Sequence, residues 1–166
     1  MEKVYKNLSD IERKLTKSNK IVSKGEKLSL GDAIKLGRKS NSIVSTIRKG
    51  TEEYTRVTPS DDEAQKTLVV MQSVVALTET QLTLLVGNKP TFDKLHVAGL
   101  VKKNIEKSRE ASMGLSKLML EKAPAHIKPE AEALEKRRAA AFTKAVDTFA
   151  NATGGEDQAD GEDDSE

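Results

Sequence analysis

The 166-residue chain is long enough for one domain, and it has no cysteine, which excludes a disulfide scaffold, thiolate metal sites and cysteine nucleophiles. With two histidines, His96 and His126, a transition-metal site is not expected, and no cofactor is expected either. The formal charge of +2 hides an asymmetry: Glu156, Asp157, Asp160, Glu162, Asp163, Asp164 and Glu166 lie in the last stretch with no base, so the body sets 28 bases against 19 of the 26 acids, a net +9. Those bases are spread along every predicted helix with little aromatic interleaving, so nucleic acid is not an expected partner.

The N-terminus, MEKVYKNLSD, lacks the apolar core of a signal peptide, which fits an intracellular protein or a mature secreted form. The first predicted helix covers about residues 2–23, with an inward stripe of Val4, Leu8, Ile11, Leu15, Ser18 and Val22, and Gly25 ends it. The second begins at Ser29, with Asp32 three residues on as a capping box, and continues past Gly50 to about Arg56. Its stripe is Ala33, Leu36, Ser40, Ile43 and Ile47. The third starts after Pro59 at Ser60-Asp61-Asp62-Glu63, a capping box with acids in the positive first turn. Its stripe is Ala64, Leu68, Met71, Val75, Thr78, Leu82 and Leu85. A second apolar face, Val70, Val74, Leu77 and Leu84, predicts a central helix buried most of the way round. No run of about 18 apolar residues is present, so no membrane span is expected.

Residues 92–124 read as one long fourth helix with Thr91 as its N-cap. Its stripe, Val97, Val101, Ile105, Ser108, Ser112, Leu115 and Met119, advances in steps of three and four and stays on one face. A fifth helix is expected from about Pro129 to Asn151, with Ala131, Leu134, Ala141, Phe142, Ala145, Val146 and Phe149 inward. Gly154-Gly155 then opens the acidic tail, which is too polar to bury a core. The expected organisation is an all-α, single-domain bundle of about five helices over residues 1–150, with a disordered acidic tail at 151–166.

Four helices place a hydroxyl where an aliphatic would normally stand: Ser18, Ser40, Thr78, and Ser108 with Ser112. Each can bond the carbonyl one turn back and fill a narrow spot. Together they also suit a central apolar tunnel or cavity with donors for one polar head group, a common architecture for small-molecule sites between bundle helices. Met71, Met113 and Met119 suit either ordinary core or an adaptable lining.

From Leu8 to Phe149 the sequence resembles the fungal cell-wall galactomannoprotein family, which includes hydrophobic surface-binding protein A. The resemblance rests on Ser9-Asp10-Ile11 leading into Leu15, on SNSIVSTIRKG at 40–50, and on the apolar third helix. It is densest at Lys89-x-x-Phe92, Ala98-Gly99-Leu100, Lys107-x-x-x-Ala111-Ser112-x-x-Leu115 and Glu121-Lys122-Ala123-Pro124. Members are secreted helical bundles. Some enclose long-chain fatty acids, others coat hydrophobic surfaces and help recruit secreted hydrolases, and several are glycosylated wall antigens linked to virulence.

The resemblance implies a secreted or cell-wall, non-enzymatic binder of a long-chain fatty acid or similar lipid. Leu36, Ile43, Ile47, Leu68, Met71, Val75 and Leu82 would line the tunnel from one side. Leu115, Met119, Phe142 and Val146 would line it from the other, with Ser40, Ser112 or Ser116 near the head group. The last helix reads EALEKRRAAAF and offers no matching serine to complete the head-group pair. The acidic tail replaces the serine/threonine-rich anchoring region of many relatives. The sequons at Asn7-Leu8-Ser9 and Asn151-Ala152-Thr153 are the expected glycan acceptors in a secreted protein.

The alternative is an adaptor that binds a hydrophobic surface and recruits a secreted hydrolase, with no stored ligand. Catalysis is not expected: there is no GxSxG elbow, HExxH or phosphate-cradling glycine loop, and a helix start accounts for Asp61-Asp62-Glu63.

Overall fold

α1 (Glu2–Val22) buries Val4, Leu8, Ile11, Leu15, Ser18 and Val22, the stripe that its spacing predicts. This computed structural model describes residues 1–164. A 3₁₀ turn at Gly25–Lys27 follows, and Gly25 takes the left-handed φ of 59° that reverses the chain. α2 (Leu30–Thr55) starts on a complete capping box between Ser29 and Asp32. α3 (Asp61–Gly87) starts on another between Ser60 and Glu63. The far end of α2 has a cap that is distant in sequence. Lys122 Nζ donates to the carbonyls of Tyr54 (2.6 Å) and Thr55 (3.2 Å) in the last turn and of Val57 just beyond it, placing a positive charge at the negative end of the helix dipole.

The long helix expected at 92–124 is two. α4 (Lys89–Lys94) carries proline in its first turn, with Asn88 rather than Thr91 at its N-cap. α5 (Ala98–Lys122) begins after Val97. Between them His96 adopts φ 58°, the left-handed region, which breaks the hydrogen-bond ladder without glycine or proline to announce it. Fully buried Phe92 fixes α4 against the body while the chain turns. α6 (Lys128–Thr148) closes the bundle, so the described residues form six α-helices where five are expected.

The five long helices form a closed ring. α1 packs between α2 and α3, α2 between α1 and α5, α5 between α2 and α6, and α6 between α5 and α3. Each helix therefore turns one face to the ring axis.

α3 differs from its expectation. Val69 on its outer side is 55% exposed, and Val70, Leu77 and Leu84 are half-buried, so it is a ring member and not a central helix. It is also long and apolar enough to cross a membrane by length and composition, with mean hydropathy 1.5 over an 18-residue window of which 28% is buried. Here it packs by one flank against α1 and by the other against α6.

The described part of the acidic tail also departs from expectation, because it lies against the body. Leu100 N–H donates to Gly154 O (2.9 Å), satisfying a first-turn donor of α5. Asn41 Nδ2 donates to the carbonyls of Ala159 and Gly161, each at 2.7 Å, and Ala159 is buried. Arg13 pairs with Asp164 at 3.2 Å, and Ser45 donates to Glu162. Composition missed this because the tail does not need a core of its own. It uses backbone bonds and the charge of a body rich in bases.

The close approach of tail and α5 depends on Gly99. A Cβ there would stand 2.7 Å from Gly154 N and 1.8 Å from Glu156 Oε1. Glu156 can swing away, but the Gly154 backbone cannot without moving the loop. Gly99→Ala should cost about 1–3 kcal/mol as overpacking and release the tail. Hydrogen exchange should then show faster exchange at the Leu100, Ala159 and Asp163 amides, with the ring unaffected. Unchanged exchange at those three sites would contradict this packing.

Candidate functional site

Because no helix fills the axis, what occupies it is a line of side chains and three small chambers. The lower chamber, about 40 Å³, lies among Tyr54, Leu68, Met71, Val75, Ser116, Met119, Ile127 and Leu134. The middle one, about 30 Å³, lies among Leu15, Ile43, Ile47, Met71, Val75, Ser112, Leu115, Arg138 and Phe142. The upper one, about 20 Å³, lies among Leu36, Ser40, Gln81, Leu82, Leu85, Val101, Asn104, Ile105 and Ser108. Met71 and Val75 wall both the lower and middle chambers, and Gln81 and Ser108 wall both the middle and upper. The three chambers thus lie end to end. Each is mainly apolar and holds one to a few water-sized volumes.

The structure brings the sequence-derived residues together on these walls with one exception. Leu36, Ser40 and Leu82 stand at the upper chamber, and Ile43, Ile47, Ser112, Leu115 and Phe142 at the middle one. Leu68, Ser116 and Met119 stand at the lower one, and Met71 and Val75 at the junction. Val146 is the exception. It is half-buried on α6, packed against the cluster that holds Phe92 and Phe149, and it lines none of the three chambers. Of the two sequons, Asn151 is exposed, but Asn7 is buried on α1, where a Cβ on Gly50 of α2 would meet it at 3.4 Å. A glycan on Asn7 does not fit that packing.

The stripe hydroxyls divide between the two expectations. Thr78 donates to Val74 O at 2.8 Å, the local bond of an ordinary core hydroxyl. Ser18 accepts from Gln81 Nε2 at 2.6 Å, and Ser40 and Ser108 face each other at 3.4 Å across α2 and α5.

Ser112 and Ser116 join a charged cluster that pattern reading did not find. Arg138, 4% exposed, forks onto Glu135 through Nε (2.8 Å) and Nη2 (2.7 Å). Its Nη1 donates to Ser112 Oγ at 3.0 Å, and Ser116 Oγ donates to Glu135. The guanidinium carbon also lies 5.7 Å from the centre of the Phe142 ring. Arg138 sits four residues after Leu134 and four before Phe142, on the inward face. That spacing was the signal available in EALEKRRAAAF.

Among the residues lining the three chambers, Arg138 is the one that carries a charge, and Glu135 neutralises it. Burial alone would raise the Glu135 carboxyl, but the hydrogen bonds from Arg138 and Ser116 outweigh it and hold it below the usual glutamate range.

The sequence decides the family. A profile for hydrophobic surface binding protein A matches residues 1–121, from α1 through nearly all of α5. The chain belongs to that family. Its fold is similar to ligand binding domain 1 of the Penicillium marneffei MP1 protein complexed with arachidonic acids, at 25% identity and TM-score 0.80, covering 88% of this chain and 96% of that one. Domain 2 of the same protein, in complex with arachidonic acids, gives TM-score 0.83 at 23% identity, with coverage of 92% and 96%. AFMP4P in complex with palmitic acid gives 0.83 at 19% identity, with coverage of 88% and 97%; at these last two identities the likeness speaks to fold alone. Comparison with curated protein sequences gives no match.

Removing one partner of the pair should cost more than removing both. Glu135→Ala leaves the Arg138 guanidinium buried and unpaired, a loss of about 3 kcal/mol once the partial exposure of Glu135 is allowed for. The double variant Arg138→Met/Glu135→Met should recover most of it. Because the Glu135 carboxyl is depressed in the fold, its contribution is present above the usual glutamate range. It fades as pH falls through the folded value. Urea denaturation of the three proteins at neutral and acid pH measures this. A double variant no more stable than Glu135→Ala would refute it.

Proposed function

We propose that this protein binds long-chain fatty acids or similar lipids along the axis of its helical ring, without catalysing a reaction on them. The observation that carries the reading is the row of apolar chambers sharing walls, with one neutralised polar cluster part-way along. Membership of the hydrophobic surface binding protein A family supports it, as does the likeness to an MP1 domain solved with arachidonic acids. We infer a secreted or cell-wall setting from the same relatives, with exposed Asn151 as the candidate glycan acceptor.

The energetics fit. Burying about fifteen methylenes at roughly 0.8 kcal/mol each gives a gross gain on the order of 12 kcal/mol. Lost ligand freedom removes a large part of that, leaving affinity near the micromolar range without a strong polar contact.

A second reading has its own support. The outward face of α3 carries exposed Val69 with half-buried Val70, Leu77 and Leu84, on a helix of mean hydropathy 1.5. This suits adsorption to a hydrophobic surface, with a secreted hydrolase as the partner recruited there. Val69→Lys should then abolish adsorption to hydrophobic beads and leave lipid uptake intact.

Native mass spectrometry of the delipidated protein exposed to palmitate tests the main reading, with a one-to-one lipid adduct as the expected result. Val75→Phe should block it. Val75 stands at the junction of the lower and middle chambers, so the added ring fills the passage and should lower uptake at least tenfold at a stability cost of about 1–3 kcal/mol. Full uptake by a folded Val75→Phe protein would place the lipid elsewhere.

A further inference from the structure

α5 turns Asn104, Ser108, Ser112 and Ser116 to the axis at strict four-residue intervals, and each lines at least one chamber. They form a polar rail about 18 Å long on one helix face. Ser112 and Ser116 are engaged by Arg138 and Glu135, and Ser108 faces Ser40. Asn104 is different. It is 7% exposed, it lines the upper chamber, and its Oδ1 has no hydrogen-bond partner among the described residues. Its Nδ2 lies toward α2 at Gly37, where a Cβ would meet it at 3.0 Å, so the amide occupies space that the glycine leaves open. The other buried amide oxygen without a partner, Asn19 Oδ1, lines none of the three chambers.

A buried acceptor without a donor is costly, and a group entering the chamber gains by supplying an N–H or O–H. The upper chamber, about 20 Å³, has room for one hydroxyl or one water. An ionised carboxylate has no proton to give Asn104. Further along the axis the buried guanidinium of Arg138 is already forked onto Glu135, so no uncompensated cation lines the chambers to receive it. In an apolar surrounding an unpaired carboxylate is strongly disfavoured.

We propose that the axial site prefers long-chain lipids whose head is uncharged and carries an O–H donor, of the fatty-alcohol class, over ionised fatty acids, with Asn104 Oδ1 as the acceptor and Glu135 as the residue that keeps Arg138 from taking a carboxylate. Narrow chambers in a row suit a single acyl chain. A fatty acid enters the same site best as its protonated form, which has the O–H that the anion lacks. This inference rests on the lipid-binding reading above and adds the class of head group.

The test is competition between 1-hexadecanol and palmitate for the delipidated full chain at neutral pH, each delivered from cyclodextrin and read by native mass spectrometry. Equal chain length cancels the methylene contribution. The wild type should favour the alcohol by about tenfold. Asn104→Leu should reduce that preference about fivefold to tenfold, the worth of one hydrogen bond. Glu135→Gln, which releases the guanidinium, should move the preference toward palmitate. If that variant fails to fold, Asn104→Leu decides alone, since it exchanges one unpaired polar group for an apolar one of similar size. A wild type that favours palmitate, or an unchanged ratio in Asn104→Leu, overturns the proposal. A protein that takes up neither lipid ends the lipid-binding reading and this inference with it.

Discussion

Five long helices packed each against two neighbours surround an axis that none of them occupies. Whatever fills that axis must come from side chains, and the sequence supplies short or flexible ones there. Ser40 and Ser108 reach only each other at the α2–α5 seam, Ser112 and Ser116 are too short to fill the axis, and Met71 and Met119 are long but compliant. A leucine at each serine would close the axis into an ordinary core. The chambers follow from ring closure combined with low side-chain volume, and the lipid reading follows from the chambers.

The same constraint sets the cost of the polar groups. A guanidinium 4% exposed among apolar side chains survives because a bidentate carboxylate and a serine satisfy it. Such a pair adds little net stability compared with two well-packed apolar residues. What it does is fix the charge of the lumen at zero and tie α5 to α6. Lys122 does similar work at the lower end. It donates to three carbonyls at and just beyond the end of α2 and sits 5.3 Å from the ring of Tyr54, whose buried side chain walls the lower chamber. Burial raises the Tyr54 hydroxyl above its ordinary range, which keeps that wall uncharged.

Much of this was legible in the sequence because helix periodicity and capping are local. The stripe of α1 and the Ser29–Asp32 and Ser60–Glu63 boxes appear as their spacing predicts. The all-helical bundle follows from the same periods, and the serine interruptions mark the axis. The features that escaped depend on partners distant in sequence. The break at His96 has no local breaker and is held by Phe92 and by Gly154 packing against the turn. The acidic tail has no core, but finds Asn41 and Arg13 on other helices. Arg138 lies on an inward face, yet its residue type argues for the surface until Glu135 and Ser112 are seen beside it. α3 reads as central by composition because its outer face is apolar too. Hydrophobicity alone does not separate a face turned to a neighbour from one turned outward.

The chambers, at about 40, 30 and 20 Å³, are far smaller than an acyl chain of some fifteen methylenes. Binding therefore has to widen them. Holding such a space open without a ligand would cost about 24 cal/mol for each Å³, several kcal/mol for a full-length channel. A narrowed axis is the stable arrangement when nothing fills it. The methylenes of the ligand offset that cost as they enter, since each replaces void with contact. The residues at the lower junction suit the task. Met71 rotates at small expense, while Val75 is stiff and keeps the wall in place. Lipid uptake and stability are then one equilibrium. A filled ring is packed throughout and harder to unfold, by an amount that grows with free ligand over its dissociation constant. Polar contacts along α5 contribute less to affinity than the chain does, and they decide which head group the same apolar axis accepts.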